Sequence, residues 1–160
     1  MLYFSIHIIY NIQMYKIVID TNVVLSALFS NRGKSYKLME LLTAKAADGL
    51  KYNVVSVPLA LEFEEVLLRP KNRETYDYFS QEDIGLIISD IIHVSYQTEL
   101  HFLWRPFLKD SFDDKVLETA VNGQANAIIT YNTKDFAGVK KYFNIDIFTP
   151  AELFTKGVLQ

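Results

Sequence analysis

The 160-residue chain has no cysteine. That excludes a disulfide scaffold, a Cys-ligated zinc site and a cysteine nucleophile, and it fits a cytoplasmic protein. Histidine is scarce too: His7, His93 and His101 lie far apart, with no His-x-x-x-His spacing, which argues against a His-rich metal site. No apolar run reaches the roughly 20 residues that a membrane-spanning helix needs. Basic charge is in short supply, with 16 Lys and Arg against 19 Asp and Glu, a net charge of −3. Bulk charge therefore gives no attraction to nucleic acid. What the chain does have is apolar residues, half of the total, including ten tyrosines and eleven phenylalanines. That composition excludes disorder. The length suits one domain, whose core can bury about 70% of the surface of the unfolded chain.

The most apolar stretch is residues 1–10 (MLYFSIHIIY). It lacks the basic start and small-residue cleavage site of a signal peptide. A second methionine, Met14, stands directly before the run Tyr15-Lys16-Ile17-Val18-Ile19-Asp20. Two readings stay open for residues 1–13: an extension upstream of a true start at Met14, or an extra edge strand or tail. Residues 14–160 read as a single domain, without repeat, linker or low-complexity tract.

Residues 16–19 read as a short, continuously apolar strand of the kind buried on both faces. Apolar character continues over 23–29 until Asn31-Arg32-Gly33 breaks it. Leu38, Leu41, Leu42 and Ala46 share one side of a predicted helix over 35–47. A β-branched strand follows over 52–57, then a helix to about residue 68 with Pro58 in its first turn, stopped by Arg69-Pro70-Lys71. Further helices are expected over 81–92, 113–122 and, briefly, 150–154. Residues 91–96 turn from helix into strand, and 104–112 form a loop. Strands are expected over 127–130 and 146–148, with a turn over 132–136 between them. Strands separated by helices imply a parallel sheet covered on both faces.

In open α/β sheets, sites form beyond the carboxyl ends of the strands, so the residues just past each strand matter most. Asp20 follows the first strand, where it serves equally well as a helix cap or as a functional group. After the second strand, Leu59, Phe63, Val66 and Leu67 form an apolar stripe, with Glu62 within or beside it and Leu61 and Leu68 facing outward. A buried carboxylate needs a partner. No cation stands at i±3 or i±4 of Glu62, which leaves a metal or a distant Arg or Lys. Glu64 and Glu65 suit a solvated face. Asp113 and Asp114 open the next helix, where the macrodipole stabilises acids, but two adjacent acids leave one free to point inward. Asp135 lies in the turn after the strand 127–130 and by itself reads as a turn residue.

Together these acids converge on one sheet edge if their strands are parallel neighbours. Three or four converging carboxylates push each other's pKa values up, and a hard divalent ion bound through oxygen relieves this. Such a set suits metal-assisted phosphodiester hydrolysis.

Four blocks in this order carry a resemblance: residues 17–28 (IVIDTNVVLSAL), 56–67 (SVPLALEFEEVL), 113–118 (DDKVLE) and 128–136 (IITYNTKDF). Over about residues 14–153 the chain resembles PIN domains (PilT N-terminus-like), and more closely the PIN-family toxins of bacterial toxin–antitoxin systems. The resemblance implies a three-layer α/β/α sandwich with a central parallel sheet, and Mg²⁺- or Mn²⁺-dependent cleavage of RNA. It implies Asp20, Glu62, Asp114 and Asp135 as catalytic metal ligands, with Asp113 in place of Asp114 if the alignment shifts by one residue. It implies Thr21, Asn22, Thr130 and Asn132 as groups that orient the ligands or water. Many PIN domains place the last acid two residues after the threonine. Here that residue is Asn132, and Asp135 lies three further on; if Asp135 points away, only one metal binds. The family also implies a cognate antitoxin and frequent homodimers.

Arg32, Lys34, Arg69 and Lys134 flank the acids as candidate RNA contacts, and Trp104, Phe107 and Tyr131 as candidate base-stacking groups. Two other readings compete. A haloacid-dehalogenase-type phosphatase also opens with a strand and an Asp, but it needs a second Asp where this chain has Asn22. A PIN domain can also act as a non-catalytic RNA- or protein-binding module. With the four ligand acids set aside, 15 acids face 16 bases, so the negative balance belongs in part to the site itself.

Overall fold

The computed structural model describes residues 14–159; the two readings of residues 1–13 lie outside them. The chain alternates strands and helices: β1 (Ile17–Ile19), α1 (Thr21–Phe29), α2 (Lys34–Ala47), β2 (Val54–Ser56), α3 (Val57–Leu67), α4 (Pro70–Arg73), α5 (Gln81–His93), β3 (Tyr96–Thr98), α6 (Asp113–Asn122), β4 (Ala127–Ile129), α7 (Val139–Phe143), β5 (Asp146–Phe148) and α8 (Pro150–Lys156). All strand pairs are parallel. β1, β4 and β5 form one sheet in the order β1-β4-β5, and β2 pairs with β3. A single parallel bridge, Ile17 to Asn53, joins the two, so the strands run 3-2-1-4-5 across a three-layer α/β/α sandwich.

The seam between β1 and β2 is closed mainly by one side chain. Ile17 N–H donates to the Tyr52 carbonyl at 2.8 Å. Beyond it, the buried Asn53 amide takes over: its Oδ1 accepts from Ile19 N–H at 3.2 Å, and its Nδ2 donates to Ser95 Oγ at 2.8 Å. Buried backbone groups need partners, and here an asparagine supplies what a regular ladder rung would.

β1, β2 and β4 are buried at every position, as strands rich in β-branched residues in a doubly covered parallel sheet should be. Leu59, Phe63 and Leu67 of α3 are fully buried, and Leu61 is exposed, as the spacing predicts; Val66 is only half-buried, and Leu68, expected to face outward, is half-buried against the core. α6 ends at Gly123, where an added Cβ would clash with the Val54 side chain and lie 2.9 Å from the Thr119 carbonyl. Glycine thus lets the end of α6 press onto β2, which helps set where the other end, carrying Asp113 and Asp114, comes to lie.

Some expectations shift. The apolar run after β1 is a helix from Thr21 on, the second strand gives way to helix already at Val57, and β3 begins at Tyr96 rather than ending there. Helix α7 was not foreseen. It is five residues long, with Gly138 and Asn144 in the left-handed region at its two ends, too short to show a helical period. Among the described residues no helix is long and apolar enough to cross a membrane.

Candidate active site

The chain leaves β1 towards β2 on one side and returns from β3 to β4 on the other. The switch point lies between β1 and β4, where ligands bind beyond the carboxyl ends of such sheets. Asp20 follows β1 there and Thr130 follows β4. Asp20 occupies the N-cap position of α1 without a capping hydrogen bond from its side chain. Its Oδ2 instead accepts from Thr130 Oγ1 at 2.6 Å and from Asn22 Nδ2 at 2.8 Å. Thr130 Oγ1 accepts in turn from Asn22 Nδ2 at 3.1 Å and from Asn132 N–H at 3.0 Å, and Asn22 Oδ1 accepts from Tyr131 N–H at 3.2 Å. Burial raises the Asp20 carboxyl above its ordinary value. The Thr130 hydrogen bond opposes this, and the Glu62 charge adds to it.

Glu62 reaches the same edge from α3. Ser56 caps that helix, accepting from Leu59 N–H at 3.4 Å, and its Oγ lies 2.7 Å from Thr119 Oγ1 of α6. The Thr119 hydroxyl donates to the Lys115 carbonyl at 2.7 Å, so Ser56 is the donor in the Ser56–Thr119 pair, and the two helices are locked side by side. Glu62 is buried, and its Oε1 accepts from Thr21 Oγ1 at 2.7 Å. Its Oε2 has no hydrogen-bond partner; the nearest cation is Lys115 Nζ at 3.3 Å, outside hydrogen-bonding geometry.

The paired aspartates divide. Asp114 is fully buried; its Oδ1 accepts from Leu108 N–H at 2.9 Å, and its Oδ2 has no partner. Asp113 is half-buried and faces the other acids. Burial, followed by the charges of Asp20, Asp110, Asp135 and Glu62, pushes its carboxyl up to about 7. Asp135, though exposed, therefore acts on the cluster. Among the described residues no three Asp, Glu or His side chains already stand as a ready-made metal cage.

The donor set nevertheless fits a divalent cation. It is all oxygen, as hard cations require. Two buried carboxylate oxygens, Glu62 Oε2 and Asp114 Oδ2, have no hydrogen-bond partner. A buried carboxylate oxygen without a hydrogen bond is unfavourable; Glu62 has only the Lys115 ion pair to offset this, and burial together with the neighbouring acids raises Asp113.

The family profile described as "PIN domain" matches residues 16–134, about three quarters of the chain. The chain belongs to the PIN-domain family. PIN domains are generally a nuclease fold and typically use divalent metals. The match stops one residue short of Asp135. No curated protein matches the chain.

The flanking cations are less concentrated than the acids. Arg32, Lys34 and Lys134 are exposed; Lys34 rests over the Phe154 ring, and Arg69 pairs with Glu65 at 2.8 Å. Of the aromatic candidates, Trp104 and Phe107 pack edge-on against Phe143. Tyr131, beside Thr130, is 45% exposed, with its hydroxyl 2.7 Å from Ser35 Oγ. Sequence reasoning missed Asp110, which acts on Asp113; the spacing of Asp110, Asp113 and Asp114 was the available signal. It also missed Glu118, which is fully buried. Glu118 accepts from Trp104 N–H at 3.0 Å and from both ends of the Arg105 guanidinium at 2.9 and 2.8 Å, so it pins the loop that leads into α6. A cavity of about 700 Å³, lined by Leu28, Tyr36, Met39, Phe79, Ile87 and Ile91 among others, holds none of the site acids.

Proposed function

We propose that the protein is a Mg²⁺- or Mn²⁺-dependent endoribonuclease and the toxin of a toxin–antitoxin pair, acting in the cytoplasm. The observation that carries the metal-dependent reading is the set of buried carboxylates Asp20, Glu62 and Asp114, two of whose oxygens have no hydrogen-bond partner, beside Asp113, which burial and then the charges of Asp20, Asp110, Asp135 and Glu62 push up to about 7. Carboxylates gathered this way favour a bound cation. Glu62, Asp113 or Asp114, and Asp20 are the residues that would hold it, with Asp135 contributing from the rim. A divalent ion there supplies Lewis acidity at a phosphate and a more acidic water. Thr130 and Asn22 keep Asp20 fixed, and Thr21 keeps Glu62 fixed, so neither ligand has to be reoriented when the ion binds.

The acids lie on a sheet edge rather than in the main cavity, which suits a polymeric substrate. Arg32, Lys34 and Lys134 would contact backbone phosphates, and Tyr131 would stack on a base. The cognate antitoxin, and a homodimer, are the protein partners that follow from the toxin reading. The competing reading is a non-catalytic RNA- or protein-binding module, and the lack of a ready-made metal cage among the described residues favours it.

Incubation with defined single-stranded RNAs separates the two. Cleavage that EDTA stops and Mn²⁺ restores is expected; RNA binding without cleavage in Mn²⁺ supports the module.

A further inference from the structure

Lys115 stands apart from the other lysines near the site. Its ammonium lies 3.3 Å from Glu62 Oε2, with the Glu62 side chain 8% exposed and the Lys115 side chain 24% exposed. On its other side the ammonium sits 5.3 Å from the centre of the Phe112 ring. Its charge also reaches Glu65, on the outer face of α3. The Lys115 backbone is fixed twice: its N–H donates to the Phe112 carbonyl at 3.4 Å, and its carbonyl accepts from Thr119 Oγ1. The chain thus places one cation, on a flexible four-carbon stem, against the carboxylate oxygen of Glu62 that has no hydrogen-bond partner.

We infer that Lys115 is a built-in counter-ion of the carboxylate site, which neutralises Glu62 when no metal is bound and competes with the metal for Glu62 Oε2. This rests on the metal-dependent reading above. A divalent cation and an ammonium cannot share one carboxylate oxygen at contact distance without strong repulsion. By Coulomb's law, even at the dielectric constant of water, a unit charge about 4 Å from a divalent ion weakens its binding about thirtyfold. The ammonium therefore has to swing outward before Glu62 becomes a full ligand, and its partial exposure gives it solvent to move into. Lys115 is a positioning residue that sets metal affinity. It also explains how Glu62 is tolerated in a buried place without metal, although its helix offers no cation one turn away.

Calorimetric titration of Mn²⁺ into the full chain tests this, comparing wild type with Lys115→Met, Lys115→Gln and Lys115→Arg. The neutral variants should bind Mn²⁺ up to about thirtyfold more tightly than wild type, and their metal-free forms should melt at lower temperature. Lys115→Arg should behave as wild type. Added salt should narrow the gap, because screening weakens a charge effect. Uptake by the neutral variants but not by wild type also supports the competition. If Lys115 only supports the helix packing, the neutral variants bind Mn²⁺ equally or more weakly, and that result overturns the inference while leaving the metal site standing. If no form takes up Mn²⁺, the inference and the metal-dependent reading fall together.

Discussion

The two halves of the site are built on opposite terms. At the β1–β4 edge, Asp20, Asn22, Thr130 and Asn132 form a closed hydrogen-bond network. At the α3–α6 edge, a few side chains away, Glu62 Oε2 and Asp114 Oδ2 have no hydrogen-bond partner, and Asp113 is pushed towards neutrality. The strand side uses short side chains that directly follow two adjacent parallel strands, so its distances are set largely by the sheet. The helix side depends on two helices meeting through Ser56 and Thr119, with Lys115 beside Glu62 and the Arg105 charge acting on Asp114. In the proposed metal site the first half would orient a ligand and the second would attract the ion.

The sharpest way to break this contrast is Asp20→Asn. A strand-side ligand held by its neighbours should be dispensable for folding but not for chemistry. RNA cleavage is expected to fall by more than the roughly 100-fold that bounds loss of an outer-shell partner, with no loss of melting temperature. Full activity of a clean preparation would show that the ordered half is structural only.

Thr130→Val removes the donor to Asp20 and the acceptor for Asn22 and Asn132 while keeping the shape. Loss of a buried hydroxyl from a satisfied network costs about 1–3 kcal/mol, and activity should drop about 10- to 100-fold. Denaturant unfolding and cleavage assays read the two effects separately; a drop in stability alone would place Thr130 in the scaffold.

The helix side shows itself through pH. Asp113 is raised to about 7, whereas a free aspartate titrates near 4 (about 3.9). Between these values the folded protein holds a proton that the unfolded chain has lost, so metal-free stability falls as pH rises through this window and stays reduced above about 7. Asp113→Asn should flatten that slope and melt above wild type at about pH 8, with little difference near pH 4. Parallel melting curves across this range would show that the acids do not gather around Asp113.

Away from both edges, Arg69→Ala removes an exposed ion pair with Glu65. It should leave the melting temperature nearly unchanged, because exposed ion pairs contribute little, and a clear loss in thermal melts would mean that Arg69 supports the site.

Much of this was legible in the residues. Continuous β-branched runs mark the buried strands, and the stripe Leu59, Phe63, Leu67 shows Glu62 turned inward. Adjacency of Asp113 and Asp114 predicts that one points in, and Asp114 does. The partner of Glu62 was not legible, because Lys115 lies 53 positions away and meets it only through helix packing. Nor was the role of Asn53: a single buried amide that closes the seam between two sheets leaves no period in the sequence.

Local chemistry determined what the sequence alone could determine: which segments are strands or helices, and which acids follow the strands. Those properties depend on neighbours within a few residues. Tertiary structure decided the strand order 3-2-1-4-5, and with it the switch point where Asp20 meets Thr130. It decided that Asp114 is fully buried while Asp113 stays half-buried near the other acids, and that a lysine stands where Glu62 lacks a hydrogen bond. Each of these is a long-range contact between charged or polar groups, whose energy depends on distance and burial, and both are set only once the helices have packed onto the sheet.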